Sequence, residues 1–152
     1  MRRIEIATVR ASTQYKDFGP ENLIDGDKEF GGWISNVGDW LNAWVEFRFE
    51  RPARVRAVEI RNGFVEEAVN RTRDDYFFHL RAEDVVISFA EAGGDAPIRV
   101  RDVKGPQLFE IDSDGASEAA RITIRGIHRQ APSPEIKPFD VVGLRQVAWY
   151  AD

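Results

Sequence analysis

Two carboxylates flank a glycine at Asp25-Gly26-Asp27. Gly26 can take a positive φ without a Cβ clash, so both carboxylates and nearby carbonyls can turn toward one point. Converging hard oxygens suit calcium, and the spacing predicts a turn that holds a structural cation. The competing reading is an acidic surface turn with no metal. Leu23, Ile24 and Trp33 flank the turn as apolar anchors that would pin it to a core.

The second set of chemically useful side chains is aromatic and planar-polar. Sugars are held by aromatic faces against their C–H surfaces and by side chains that fork to paired hydroxyls. Trp40, Arg73, Tyr76, His79, Arg81 and Phe139 are of these types and fall in predicted loops. They are the candidate ligand-binding residues, and surface ion pairing with Asp74, Asp75 or Glu83 is the plain alternative for Arg73 and Arg81. His128 reads as an ordinary polar loop residue. Catalysis finds no support. There is no Gly-x-Ser-x-Gly elbow, phosphate loop or His-Glu-x-x-His. The two histidines cannot build a three-histidine centre. Neighbouring carboxylates such as Glu66 and Glu67 would point to opposite faces of a strand.

The elements that must carry these residues are short strands. Ile4–Val9 and Asn42–Phe49 alternate, with Val45, Phe47 and Phe49 on one face and Trp44, Glu46 and Arg48 on the other. Arg51-Pro52 is expected to break the second of these, and Val55–Asn62 forms the next. Residues 63–83 show no clear pattern and read as a long, functional loop. Strands resume at 85–89, 98–103, 108–111, 120–127 and 141–150, separated by turn signals such as Gly93-Gly94-Asp95 and by the Pro-bearing loop 128–140. Seven or more strands with almost no helix predict an all-β sandwich or barrel, one domain over 1–152.

Composition bounds the partners. The net charge of −5 argues against nucleic acid or an anionic membrane, and the absence of cysteine excludes disulfides and thiolate metal sites. Met1-Arg2-Arg3 is followed by no apolar signal-peptide run, and no stretch approaches a membrane span. A cytoplasmic chain is the plain expectation, with export by another route or origin in a longer protein as alternatives.

One family resemblance spans about Ile4 to Trp149. Asn22-Leu23-Ile24-Asp25-Gly26-Asp27 with Trp33, Ala11-Ser12 upstream and Trp44-Val45-Glu46-Phe47 downstream resembles the discoidin, or F5/8 type C, domain. That domain belongs to the galactose-binding-like superfamily with the family 32 carbohydrate-binding modules. Val55–Phe64, His79-Leu80-Arg81 before Val85–Phe89, and Leu144–Trp149 continue the likeness. The Asn-Gly-aromatic followed by polar-x-Arg is most similar to a bacterial glycan-binding subgroup often fused to toxins with NADase activity. The resemblance implies a jelly-roll β-sandwich and glycan binding by loops at one end. It also implies a structural calcium held by the Asp25–Asp27 loop and a last-strand Glu, whose matching position here is Gln146. The position of His79 is usually Asn in that subgroup. A protein-interaction module of the same fold is the alternative function.

Overall fold

A computed structural model describes residues 1–24, 31–65, 75–91 and 94–152. In chain order the strands are β1 (Arg2–Arg3), β2 (Ile6–Ala11), β3 (Trp33–Ile34), β4 (Trp44–Arg54), β5 (Ala57–Asn62), β6 (His79–Ala82), β7 (Asp84–Phe89), β8 (Ala96–Arg99), β9 (Gln107–Glu110), β10 (Ala116–Ile124), β11 (Ile127–His128) and β12 (Phe139–Ala151). Two 3₁₀ turns, Pro20–Leu23 and Asp75–Phe78, are the helical elements among the described residues. One sheet runs β2-β4-β10-β7-β8. The other runs β11-β6-β12-β5-β9, with β1 and β3 also paired to β12. The all-β expectation holds.

The period-2 pattern explains how the sheets pack. Val45, Phe47 and Phe49 are buried against Val147 and Trp149 of the opposite sheet, while Arg48 and Glu50 are exposed. The Trp149 ring meets Phe47 and Phe49 edge-on at 5.4 and 6.3 Å. Trp33 is fully buried, as its place after the acidic turn predicts, and its indole Nε1 donates to the Thr13 carbonyl at 2.8 Å. Burying rings of this size supplies several kcal/mol each, on the order of 25 cal/mol per Å².

Arg51-Pro52 does not end its strand. β4 continues to Arg54, and the register against β10 steps from Ala119↔Arg48 to Ser117↔Ala53. The extra residues bulge out of the ladder, which is where a sheet accepts proline. The closing strand is also longer than its apolar run, reaching back to Phe139.

Register decides where the loops go. Ala11 at the end of β2 faces Val45 at the start of β4, and Ile124 at the end of β10 faces Val85 at the start of β7. In the other sheet Asn62, at the end of β5, pairs with Leu144, near the parallel contact of β12 with β6. The connections leaving β2, β3, β5 and β10, and the crossover 100–106, therefore emerge at one end of the sandwich.

Candidate functional site

At that end a second, smaller apolar cluster forms from Ile34, Phe64 and Val141, with Tyr15 and Phe18 packed on it. Three edge-to-face contacts build it outward. Phe18 meets Phe64 at 4.9 Å, Phe64 meets His79 at 5.0 Å, and Tyr15 meets Phe139 at 5.5 Å. The parallel pairing of β6 with β12 sets His79 beside Phe139. Phe139 is 43% exposed. The Lys16 ammonium stands 5.0 Å from the Tyr15 ring centre, and Gly38 N–H donates to the Asp140 carbonyl at 2.8 Å. The result is an aromatic platform with a cationic and an amide rim.

The platform is locked from beneath. Arg81 is 0% exposed, which corrects the expectation that its guanidinium faces a ligand or a surface carboxylate. Its Nε and Nη2 donate to the two Asp102 oxygens, each at 3.1 Å, and Nη1 donates to the His79 carbonyl at 3.0 Å. Nη2 also donates to the Gln130 carbonyl. The guanidinium lies 4.9 Å from the Phe77 ring and 5.5 Å from that of Tyr76. Tyr76 is 1% exposed and its hydroxyl donates to Asp102 at 2.7 Å, so it too supports the site rather than lining it. One buried cation thus ties the 75–78 turn, the start of β6, the crossover loop and the late loop together. A charge removed from water persists only when paired in this way.

Asn62 makes the adjoining joint. Its Nδ2 donates to the carbonyls of Ala82 and Arg101 at 2.8 and 3.1 Å, and its Oδ1 accepts from the N–H groups of Gly63 and Ala82, both at 2.9 Å. Gly63 follows at φ 78°, and a Cβ there would stand 2.4 Å from the Tyr76 ring. His128, expected as an ordinary loop residue, bridges the Val100 carbonyl at 2.8 Å and a Glu83 oxygen at 2.9 Å.

The remaining sequence candidates fall elsewhere. Trp40 is half-buried against the main core and makes no ring contact with the platform among the described residues. Arg73 and the metal candidates Asp25 and Asp27 lie outside the described residues. Gln146 is 3% exposed, and its Oε1 is buried without a hydrogen-bond partner among the described residues. Among the described residues no three His, Cys, Asp or Glu side chains stand together as a metal cluster. Tyr15 and Phe64 are the platform members that strand periodicity does not single out.

The lock has an acid and an alkaline limit. Burial raises the Asp102 pKa, but hydrogen bonds from Arg81 and Tyr76 outweigh it and hold the carboxyl below its ordinary 3.8. Burial, then the bond to Asp102, pushes the Tyr76 phenol above its ordinary 10.0. The depressed carboxyl adds stability that is present above 3.8 and lost as pH falls through its folded value. The raised phenol adds stability that is present below 10.0 and lost as pH rises toward its folded value. The melting temperature is expected to fall below about pH 4, and a pH series on Asp102→Asn should show a flatter acid limb.

No protein-family model matches the chain, and no curated protein matches it. Solved structures do. The family 32 carbohydrate-binding module of AlyQ, in complex with 4,5-unsaturated mannuronic acid, superposes over 100% of both chains at TM-score 0.67 and 14% identity. The family 32 module of NanJ from C. perfringens, in complex with galactose, matches 93% of this chain and 91% of its own at TM-score 0.61 and 14% identity. XRCC1 bound to the DNA polymerase β catalytic domain matches 99% of each chain at TM-score 0.63 and 12% identity. None of these singles out the toxin-associated subgroup. The chain folds as a discoidin-type, galactose-binding-like β-sandwich, the architecture of the family 32 carbohydrate-binding modules.

Proposed function

We propose that the chain is a non-catalytic glycan-binding module whose site is the Tyr15–His79–Phe139 end of the sandwich. The observation that carries this reading is Phe139, left 43% exposed while Tyr15 and His79 fix its position. Its ring offers a stacking face, held in place by the neighbouring half-buried His79. Arg81 and Tyr76 act as positioning residues. Trp40, carried by the loop after β3 at the same end, is a further candidate contact. Mannuronate and galactose, held by similarly folded modules, are the first ligands to try.

A glycan array probed with wild type and Phe139→Ala tests the reading. Binding that the substitution lowers about two- to tenfold is expected, since a stacked ring contributes about 0.5–1.5 kcal/mol. Val37 and Leu41, 46% and 57% exposed in the loop after β3, favour a second reading in which the same end docks a protein. A blank array together with co-purification of a stable partner would select it.

For the metal, we propose a structural calcium held by Asp25, Asp27 and Gln146. The support is the orphaned Gln146 Oε1, a buried acceptor that a cation would satisfy. Calcium is expected to raise the melting temperature and chelator to reverse the rise. An unchanged midpoint retires the proposal.

A further inference from the structure

We propose that the outer face of the β2-β4-β10-β7-β8 sheet carries a second binding site, for a small hydroxylated carboxylate of the uronic-acid class. It does not depend on the platform at the loop end. Register sets Glu46 of β4 opposite both Arg10 of β2 and Arg121 of β10, and sets Arg121 opposite Ser88 of β7. The Glu46 carboxylate, 13% exposed, accepts from Arg10 Nε at 2.6 Å and from Arg121 Nη2 at 3.2 Å. Arg121 also covers the Trp44 ring, its guanidinium carbon 3.9 Å from the ring centre, with that of Arg10 at 5.4 Å. Two guanidiniums thus share one carboxylate, and Trp44 and Glu46 hold them in place. The neighbouring Arg48 pairs with Glu118 at 3.7 Å, so the surplus positive charge stays at Arg10 and Arg121.

Beside this row lies a depression of about 230 Å³, bordered by Glu46, Ser88, Phe89, Ala90, Ala119 and Arg121. Its room comes from small side chains and from the irregular register of β10 between Ser117 and Ala119. Ser88, opposite Arg121 on this face, is half-buried at the edge of the depression, and Ala90 and Ala119 form its apolar side. A ligand carboxylate would take the spare guanidinium donors, the stronger, charge-assisted kind of bond. Its hydroxyls would bond Ser88 and Glu46, and its carbon skeleton would lie along Ala90 and Ala119. A neutral sugar leaves the surplus charge unmet, and a bare inorganic anion leaves Ser88 and the alanine surface unused.

Amide NMR titrations of the full chain with sodium glucuronate, glucose and sodium sulfate test this. Glucuronate is expected to shift Glu46, Ser88, Phe89 and Arg121 saturably, more weakly at high salt. Arg121→Met should lower affinity about tenfold and Ser88→Ala by less, the second with an otherwise wild-type spectrum. Should Arg121→Met disturb the fold, Arg10→Met takes its place. Phe139→Ala is expected to leave these shifts unchanged, which separates this site from the glycan platform. Absence of saturable shifts, shifts confined to the Phe139 end, or an equal response to glucose or sulfate would overturn it.

Discussion

Replacing Arg81 by Met is expected to lower the unfolding free energy by about 3 kcal/mol or more, the usual consequence of removing one partner of a buried ion pair. The lost donors serve Asp102, His79 and Gln130, and the methionine cannot replace any of them. Asp102 retains the Tyr76 hydroxyl and is 27% exposed, which places the loss toward the lower end of that range. Urea denaturation should show a lower midpoint with an unchanged slope. Because Arg81 holds the His79 carbonyl and the loop leading to Phe139, weakened glycan binding should accompany the loss even where the variant is fully folded. Arg81→Lys should rescue little, since one ammonium cannot reproduce the planar fork that spans both Asp102 oxygens.

Asn62→Ala is expected to cost a similar amount, about 3 to 5 kcal/mol. The Ala82 carbonyl and N–H lose this partner at a buried position, whereas the Arg101 carbonyl keeps Gln107 Nε2 and the Gly63 N–H keeps the Gly143 carbonyl; each unsatisfied group costs roughly 1–3 kcal/mol when water cannot reach it. The effect should exceed that of an exposed pair such as Arg56–Asp152, because surface ion pairs contribute little. Asn62→Asp should be no better. The carboxylate keeps an acceptor toward Gly63 and Ala82 but sets negative charge against the carbonyls of Ala82 and Arg101. Thermal melts of the three variants check the order.

Both residues mark where local pattern stops being informative. The alternation of Val45, Phe47 and Phe49 and the apolar run at the end of the chain are visible because a half-buried strand repeats every two residues. Trp33 is legible as an anchor because a large ring beside a turn has few places to go but the core. Asn62 bonds partners 20 and 39 residues away, and Arg81 meets Asp102 across 21. No periodicity records pairings of that range. His79-Leu80-Arg81 reads as polar loop, since an arginine in a four-residue strand suggests solvent rather than a buried keystone. The platform was half legible. His79 and Phe139 stand out by residue type, whereas Tyr15 and Phe64 join them only because antiparallel register sends several loops to one end. β3 and β11, with two residues each, are too short to show any repeat.

Chemical-shift mapping of the wild-type chain with galactose and with mannuronate tests most directly the proposed sugar site on the Tyr15–His79–Phe139 platform. Saturable shifts centred on Tyr15, His79 and Phe139, absent in Phe139→Ala, are the expected result. Shifts centred elsewhere with galactose, or no shifts at Tyr15, His79 and Phe139 with either sugar at saturating ligand, would contradict it.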